Sequence, residues 1–335
     1  MTSAVLRAAT PPTAALREIQ APVRDRLEDV VIEMRRVVSA ELPLIEQVSS
    51  HLLQIRGKMF RPTLALLANE TDGAAEDRVV TLAAVLELMH LASLVHDDSV
   101  DHSALRRGLP TVNSLFSHQV SVIMGDFLYS RALEALVALG DLDLMRVLTN
   151  VSTQLTIGEM RQLANVDALS FTELDYEMLI QAKTASLLSA ACETGAMCGA
   201  ARFRPALRRY GERLGMAFQV ADDILDYTES SSVTGKPTGL DLKEHKVTLP
   251  LIAVLPRLPR PARASVERLF ASEAPDDDQV REIIALVAEH GGIEAARRRG
   301  EQFAREAEEA LDVLPATPAR AALTDAIVYV MDRRS

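Results

Sequence analysis

Asp97-Asp98-Ser99-Val100-Asp101 and Asp222-Asp223-Ile224-Leu225-Asp226 repeat one D-D-x-x-D spacing, 125 residues apart. On a helix, residues i and i+4 share a face. Each motif therefore aims its first and last carboxylates in one direction, with the middle one alongside. Both follow apolar helical runs, Leu91 to Val95 and Met216 to Ala221. Carboxylates gathered at the end of a buried face repel one another unless a cation or a donor lies between them. Two such clusters facing one cavity would hold several hard cations. Mg²⁺ is the natural one, because it takes oxygen ligands and is often shared between carboxylates and substrate phosphates. Asp fills 22 of the 335 positions, so roughly 0.1 matches to this spacing would arise at random. One match alone would read as an acidic helix end in solvent; the pair points to chemistry.

Basic groups accompany the acids. Gly57-Lys58-Met59-Phe60-Arg61-Pro62 sets two cations three residues apart at a helix start. Pro62 suits a first turn there, and free N–H groups favour anions. The segment lacks the Walker A spacing. Arg106-Arg107 follows the first motif by five residues, and Gly235-Lys236-Pro237 follows the second by nine, with Lys246 beyond. Only five of the 36 basic residues are lysine: Lys58, Lys183, Lys236, Lys243 and Lys246. Lysine is a compact point charge suited to phosphate oxygens. Any one of these cations is explained by a plain salt bridge. Repeated around two acidic clusters, they suggest a diphosphate clamp with metals on one side and Arg and Lys on the other.

The elements that must carry these groups read as helices. The chain is 48% hydrophobic and 25% charged, has 4% aromatics and no Trp, and keeps most of its 15 Pro outside the periodic stretches. Helical patterns cover residues 24–56 (broken near Leu42-Pro43), 61–69, 78–96, 113–139 (interrupted at Gly125-Asp126), 141–164, 172–199, 205–229 and 293–312. A loop is expected through Arg106–Pro110 and another over 230–241. Asp276-Asp277-Asp278 marks the acidic start of a further helix. There is no strand alternation and no linker long enough to divide the chain. The expectation is an all-α, single-domain bundle over residues 24–335, preceded by a disordered tail over 1–23. The net charge of −11 argues against nucleic acid as a partner. Cys192 and Cys198 show no disulfide or metal pattern and read as buried small hydrophobes in a reducing cytoplasm. No apolar run reads as long enough to span a membrane.

Taken together, the chain resembles the trans-isoprenyl diphosphate synthases, and the polyprenyl diphosphate synthases in particular. The matching segments are Gly57–Pro62, His90 with Leu94–Asp101, Arg106-Arg107-Gly108, Met124-Gly125-Asp126, Lys183-Thr184, Phe218-Gln219 with Asp222–Asp226, and Gly235-Lys236-Pro237 through Lys246. They stand in the family's order and spacing, over roughly residues 25–330. The resemblance implies the isoprenoid synthase fold, a helical bundle around a deep central cavity, in a homodimer. It makes Asp97, Asp101 and Asp222 the main Mg²⁺ ligands, supported by Asp98, Asp223 and Asp226, with about three Mg²⁺ per active site and Mn²⁺ as a substitute. Gly57, Lys58, Arg61, His90 and Arg107 would hold isopentenyl diphosphate. Arg106, Lys183, Thr184, Gln219, Lys236 and Lys246 would line the allylic diphosphate, and the Lys183-Thr184 carbonyls and the Gln219 side chain would stabilise the allylic cation. Partners would be these two diphosphates, with peripheral membrane contact for product release.

Chain length follows from the first acidic helix. Ser93 and Ala92, one turn deeper than Asp97, are small, whereas in the family a bulky aromatic there stops growth early. Met89 lies about 12 Å below Asp97 at 1.5 Å per residue and is flexible rather than a wall. No Phe or Tyr occurs between Leu64 and Val112. The expected product is about C30–C50, as used for quinone side chains, with geranylgeranyl diphosphate (C20) as the alternative. An HD-type metal phosphohydrolase would use His90 and His96-Asp97 but leaves the second motif unexplained. A class I terpene cyclase needs one acidic motif and no Gly57–Pro62. A non-catalytic subunit of a heteromeric synthase would have lost a motif.

Overall fold

The computed structural model describes residues 14–55, 57–73, 76–164, 168–228 and 238–332. By its contacts the chain falls into two compact units. The first draws on residues up to 149, with 190–208 and 313–326; the second on 150–189, 209–312 and 327 onward. Four of the five divisions fall inside helices, which is why no linker in the sequence announces them.

In the first unit, α1 (Ala14–Gln20), α2 (Arg24–Val38), α3 (Pro43–Ile55), α4 (Phe60–Glu70) and α5 (Arg78–Val100) lead to a two-stranded hairpin, β1 (Leu105–Arg106) and β2 (Leu109–Pro110). Then come α6 (Val112–Leu115) and α7 (His118–Ala138). The expected tail is helical from Ala14, because Leu16, Ile19 and Val23 are buried and Gln20 Nε2 donates to the Lys58 carbonyl at 2.9 Å and to Thr63 Oγ1 at 3.1 Å.

Helix α5 is apolar around its whole circumference because α2, α4 and α7 all pack against it. Contrary to the sequence reading, it is long and apolar enough to cross a membrane; two-thirds of its apolar window is buried within the protein. The interruption expected at Gly125 is absent, and α7 runs straight through it. Glycine serves packing there: a Cβ would stand 2.3 Å from His96 Nε2 on α5.

Helix α8 (Leu142–Ala164) runs into the second unit, which holds α9 (Glu173–Ile180), a π-helical segment Gln181–Ala185, and the start of α10 (Ser186–Gly199). It also holds most of α11 (Arg204–Thr228), with α12 (Leu240–Lys243), α13 (Leu249–Ile252), α14 (Arg260–Ala271), α15 (Asp277–Glu289) and α16 (Gly292–Ala310). Helix α17 (Pro318–Met331) closes the chain. Asp276 caps α15 through the Gln279 N–H at 2.8 Å, with Gln279 returning the bond.

Small residues let α10 approach α4 within the first unit. A Cβ on Gly195 would lie 2.2 Å from the Ala65 carbonyl oxygen, and backbone cannot yield as a side-chain tip does. Gly195→Ala is expected to destabilise the protein by about 1–3 kcal/mol, read as a lower denaturation midpoint at unchanged m-value; an unchanged midpoint would refute this packing.

Candidate active site

Asp97 and Asp98 occupy the last turn of α5 and Asp101 is its C-cap, where a helix's negative pole disfavours carboxylates. Asp98 is buried, and Arg106 answers its charge. Arg106 Nε donates at 2.8 Å to both Asp98 oxygens, and its Nη2 lies 2.7 Å from Oδ1. The arginine is aimed by the hairpin in place of the expected loop. Leu105 pairs Pro110 and Arg106 pairs Leu109, leaving Arg107-Gly108 as a two-residue turn with φ of 54° and 74°. Positive φ at both positions marks a type I′ turn, which glycine tolerates and arginine adopts only under local constraint.

The Arg107 guanidinium packs on Gly57, where a Cβ would lie 2.5 Å from Nη2. This explains the glycine that begins the Gly57–Pro62 motif. Met59 at φ 54° turns the chain into α4, and Arg61 follows in its first turn. Arg61 Nε is buried without a hydrogen bond partner. Desolvation lowers the Arg61 pKa to about 10, with Glu87 opposing and Arg107 adding to the fall. His90 is pushed well below the usual histidine value by desolvation first and then by Arg61, Arg107 and Arg106. It is a neutral imidazole among cations. The structure thus brings Gly57, Arg61, His90, Arg106 and Arg107 into one electrostatic neighbourhood.

Sequence reasoning missed Glu87, 5% exposed, whose charge acts on both Arg61 and Arg107. Its signal was available as the lone acid in an apolar run, one turn before His90. Met89 and Ala92 are buried in the packing of the first unit; Ser93 is half-buried, with its hydroxyl on the His90 carbonyl at 2.8 Å.

The second motif ends α11. Asp223 is 4% exposed and accepts from Tyr176 Oη at 2.6 Å and from Gln219 Nε2 at 2.9 Å. Gln219 Oε1 in turn accepts from Thr184 Oγ1 at 2.7 Å. The Gln219 amide, expected to face an allylic cation, is therefore tied at both ends and links Thr184 to Asp223. Tyr176 was not foreseen. Desolvation raises the Asp223 pKa well above the carboxylate range, with Asp241 and Asp222 adding to it. Asp226 accepts the Leu240 and Asp241 N–H groups at 3.0 and 3.1 Å, capping α12.

The second motif offers only carboxylate oxygens, from Asp222, Asp223 and Asp226, and all-oxygen donors suit Mg²⁺. Among the described residues, no three His, Cys, Asp or Glu side chains form a ready-made metal cluster, so phosphate and water oxygens must complete the shell of any ion there. Lys183 and Thr184 lie in the π-helical segment, a rare geometry common at functional sites. Lys246 Nζ pairs with Glu244 at 2.6 Å. Lys236 lies outside the described residues.

The model of the polyprenyl synthetase family matches residues 42–287. The chain belongs to that family. It is 35% identical to the all-trans-nonaprenyl-diphosphate synthase (geranyl-diphosphate specific) of Rhodobacter capsulatus, over 95% of this chain and 98% of the relative. It is 36% identical to the octaprenyl diphosphate synthase of Escherichia coli K12, over 85% and 89%. Its structure is similar, at a TM-score of 0.90 and 32% identity, to a polyprenyl synthase from Caulobacter crescentus CB15 complexed with calcium and isoprenyl diphosphate, covering 97% of this chain and all of that one. This polyprenyl synthetase is accordingly an all-α prenyltransferase, as the sequence motifs implied. Each acidic motif of the synthetase anchors its second aspartate to a protein donor, Arg106 on Asp98 and Tyr176 on Asp223.

Proposed function

We propose that the protein is a long-chain trans-polyprenyl diphosphate synthase, adding isopentenyl diphosphate units head-to-tail onto farnesyl or geranylgeranyl diphosphate to give a product of about C30–C50. The observation that carries this reading is that each acidic motif has its second aspartate anchored, Asp98 on Arg106 and Asp223 on Tyr176, with the Arg61–His90–Arg107 cluster in the unit of the first. The relatives' names, nonaprenyl and octaprenyl synthases, support the long product, as does the small, half-buried side chain of Ser93.

The roles follow the chemistry of each group. Asp97, Asp101 and Asp222 would hold Mg²⁺, with Asp98, Asp223 and Asp226 fixing their surroundings. Bound Mg²⁺, about three ions per site with Mn²⁺ as a substitute, supplies positive charge to the allylic diphosphate as it leaves. Arg61 and Arg107, with Lys58 and His90, hold the diphosphate of isopentenyl diphosphate. His90 is neutral there and donates one N–H to a phosphate oxygen.

Lys183, Arg106, Lys236 and Lys246 serve the allylic diphosphate. The allylic C–O bond breaks and its electron pair leaves with pyrophosphate. The isopentenyl double bond then attacks the allylic carbon, with the Lys183 and Thr184 carbonyls stabilising the cation. A proton lost beside the new cation restores a double bond, and the departing pyrophosphate takes it. We place the enzyme in the cytoplasm as a homodimer, a reading that rests on the family resemblance and, for the compartment, on two buried free thiols.

Two measurements test these roles. Stripping divalent ions with EDTA is expected to abolish pyrophosphate release, and Mg²⁺ is expected to restore it; full activity without metal would refute the ligand roles. Ser93→Phe is expected to shorten the product to about C15–C20, since a ring adds bulk at the half-buried position one turn from Asp97 where the tail is proposed to pass. Unchanged product length would refute that path.

A further inference from the structure

Lys183 is held from α8 by two side chains one turn apart. Glu159 Oε1 lies 2.6 Å from Lys183 Nζ, and Gln162 Oε1 accepts from it at 2.7 Å. The lysine stem reaches them across the α8 backbone at Gly158, where a Cβ would stand 2.9 Å from Lys183 Cγ and 3.1 Å from Ala182 Cβ. Gly158, Glu159 and Gln162 thus form a cradle for one lysine, and the π-helical turn at Gln181–Ala185 sets that lysine into it. An ammonium has three donors. The cradle takes two and leaves one for an anion, and the Glu159 carboxylate cancels much of the charge the anion would meet.

We propose that Glu159 is a positioning and charge-tempering residue: it aims Lys183 and weakens its hold on the diphosphate, so that pyrophosphate is released after each condensation. The inference rests on the prenyl synthase reading for the identity of the anion. It rests on the structure alone for the contact. The ion pair is partly exposed, with Lys183 at 26% and Glu159 at 36%, so its effect is moderate.

Glu159→Gln keeps an oxygen acceptor for the ammonium and deletes only the charge. Titration of the full-length enzyme with inorganic pyrophosphate and Mg²⁺ is expected to show about three- to tenfold tighter binding in this variant. The KM for the allylic diphosphate should fall while that for isopentenyl diphosphate stays. In a Lys183→Gln background the same substitution should change pyrophosphate affinity less than twofold, because the charge it tempers is gone. Unchanged or weaker binding in Glu159→Gln, or an equal gain in both backgrounds, would overturn the proposal. Failure of the wild-type enzyme to bind pyrophosphate at all would overturn the prenyl synthase reading beneath it.

Discussion

Asp97→Ala and Asp222→Ala are each expected to lower kcat by about 10³-fold or more. Each replaces a half-buried carboxylate at a helix end where acids already repel. On the proposed roles, removing one deletes a ligand to the cations that would stabilise a leaving diphosphate. The apparent Mg²⁺ requirement should rise in both variants.

The same substitution one residue on carries a stability cost that the geometry shows directly. Asp98 is the partner of Arg106 and Asp223 that of Tyr176 and Gln219. Their loss strands buried donors and should lower the denaturation midpoint as well as the rate. Steady-state kinetics beside chemical denaturation reads both effects. An unchanged denaturation midpoint in Asp98→Ala or Asp223→Ala would contradict the anchoring drawn from the geometry.

Arg61→Gln is expected to raise the KM for isopentenyl diphosphate by about 30- to 100-fold, the scale of a lost charge-assisted pair to a phosphate. The KM for the allylic diphosphate should move less than twofold. Arg61 has Glu87 as its buried counter-charge. Removing the arginine leaves that carboxylate to Arg107 and should cost about 1–3 kcal/mol of stability. Arg61→Gln combined with Glu87→Gln should recover much of the stability and none of the KM. Recovery of the KM as well would show that Arg61 acts through folding and touches no substrate.

These residues also show what a sequence can carry. The acidic motifs, Gly57–Pro62 and Lys183-Thr184 are local spacings, and local spacing survives in one dimension. Tyr176 on Asp223 and Gln162 on Lys183 join positions 47 and 21 residues apart, and no periodicity encodes such pairs. Gly125 reads as a helix breaker until the His96 ring is seen to need its space. The hairpin at Arg106 has Arg-Gly where Asn-Gly would have signalled a type I′ turn. The first helix hides in a Pro- and Ala-rich start, and only burial of Leu16 and Ile19 reveals it.

The decisive measurement is product analysis after incubating the enzyme with Mg²⁺, farnesyl diphosphate and labelled isopentenyl diphosphate. Pyrophosphate release matched to label incorporation is expected, with a product ladder ending at about C30–C50. A ladder that stops at C20 would contradict the long-chain assignment, and the absence of both pyrophosphate and elongated product would contradict the prenyl transfer itself.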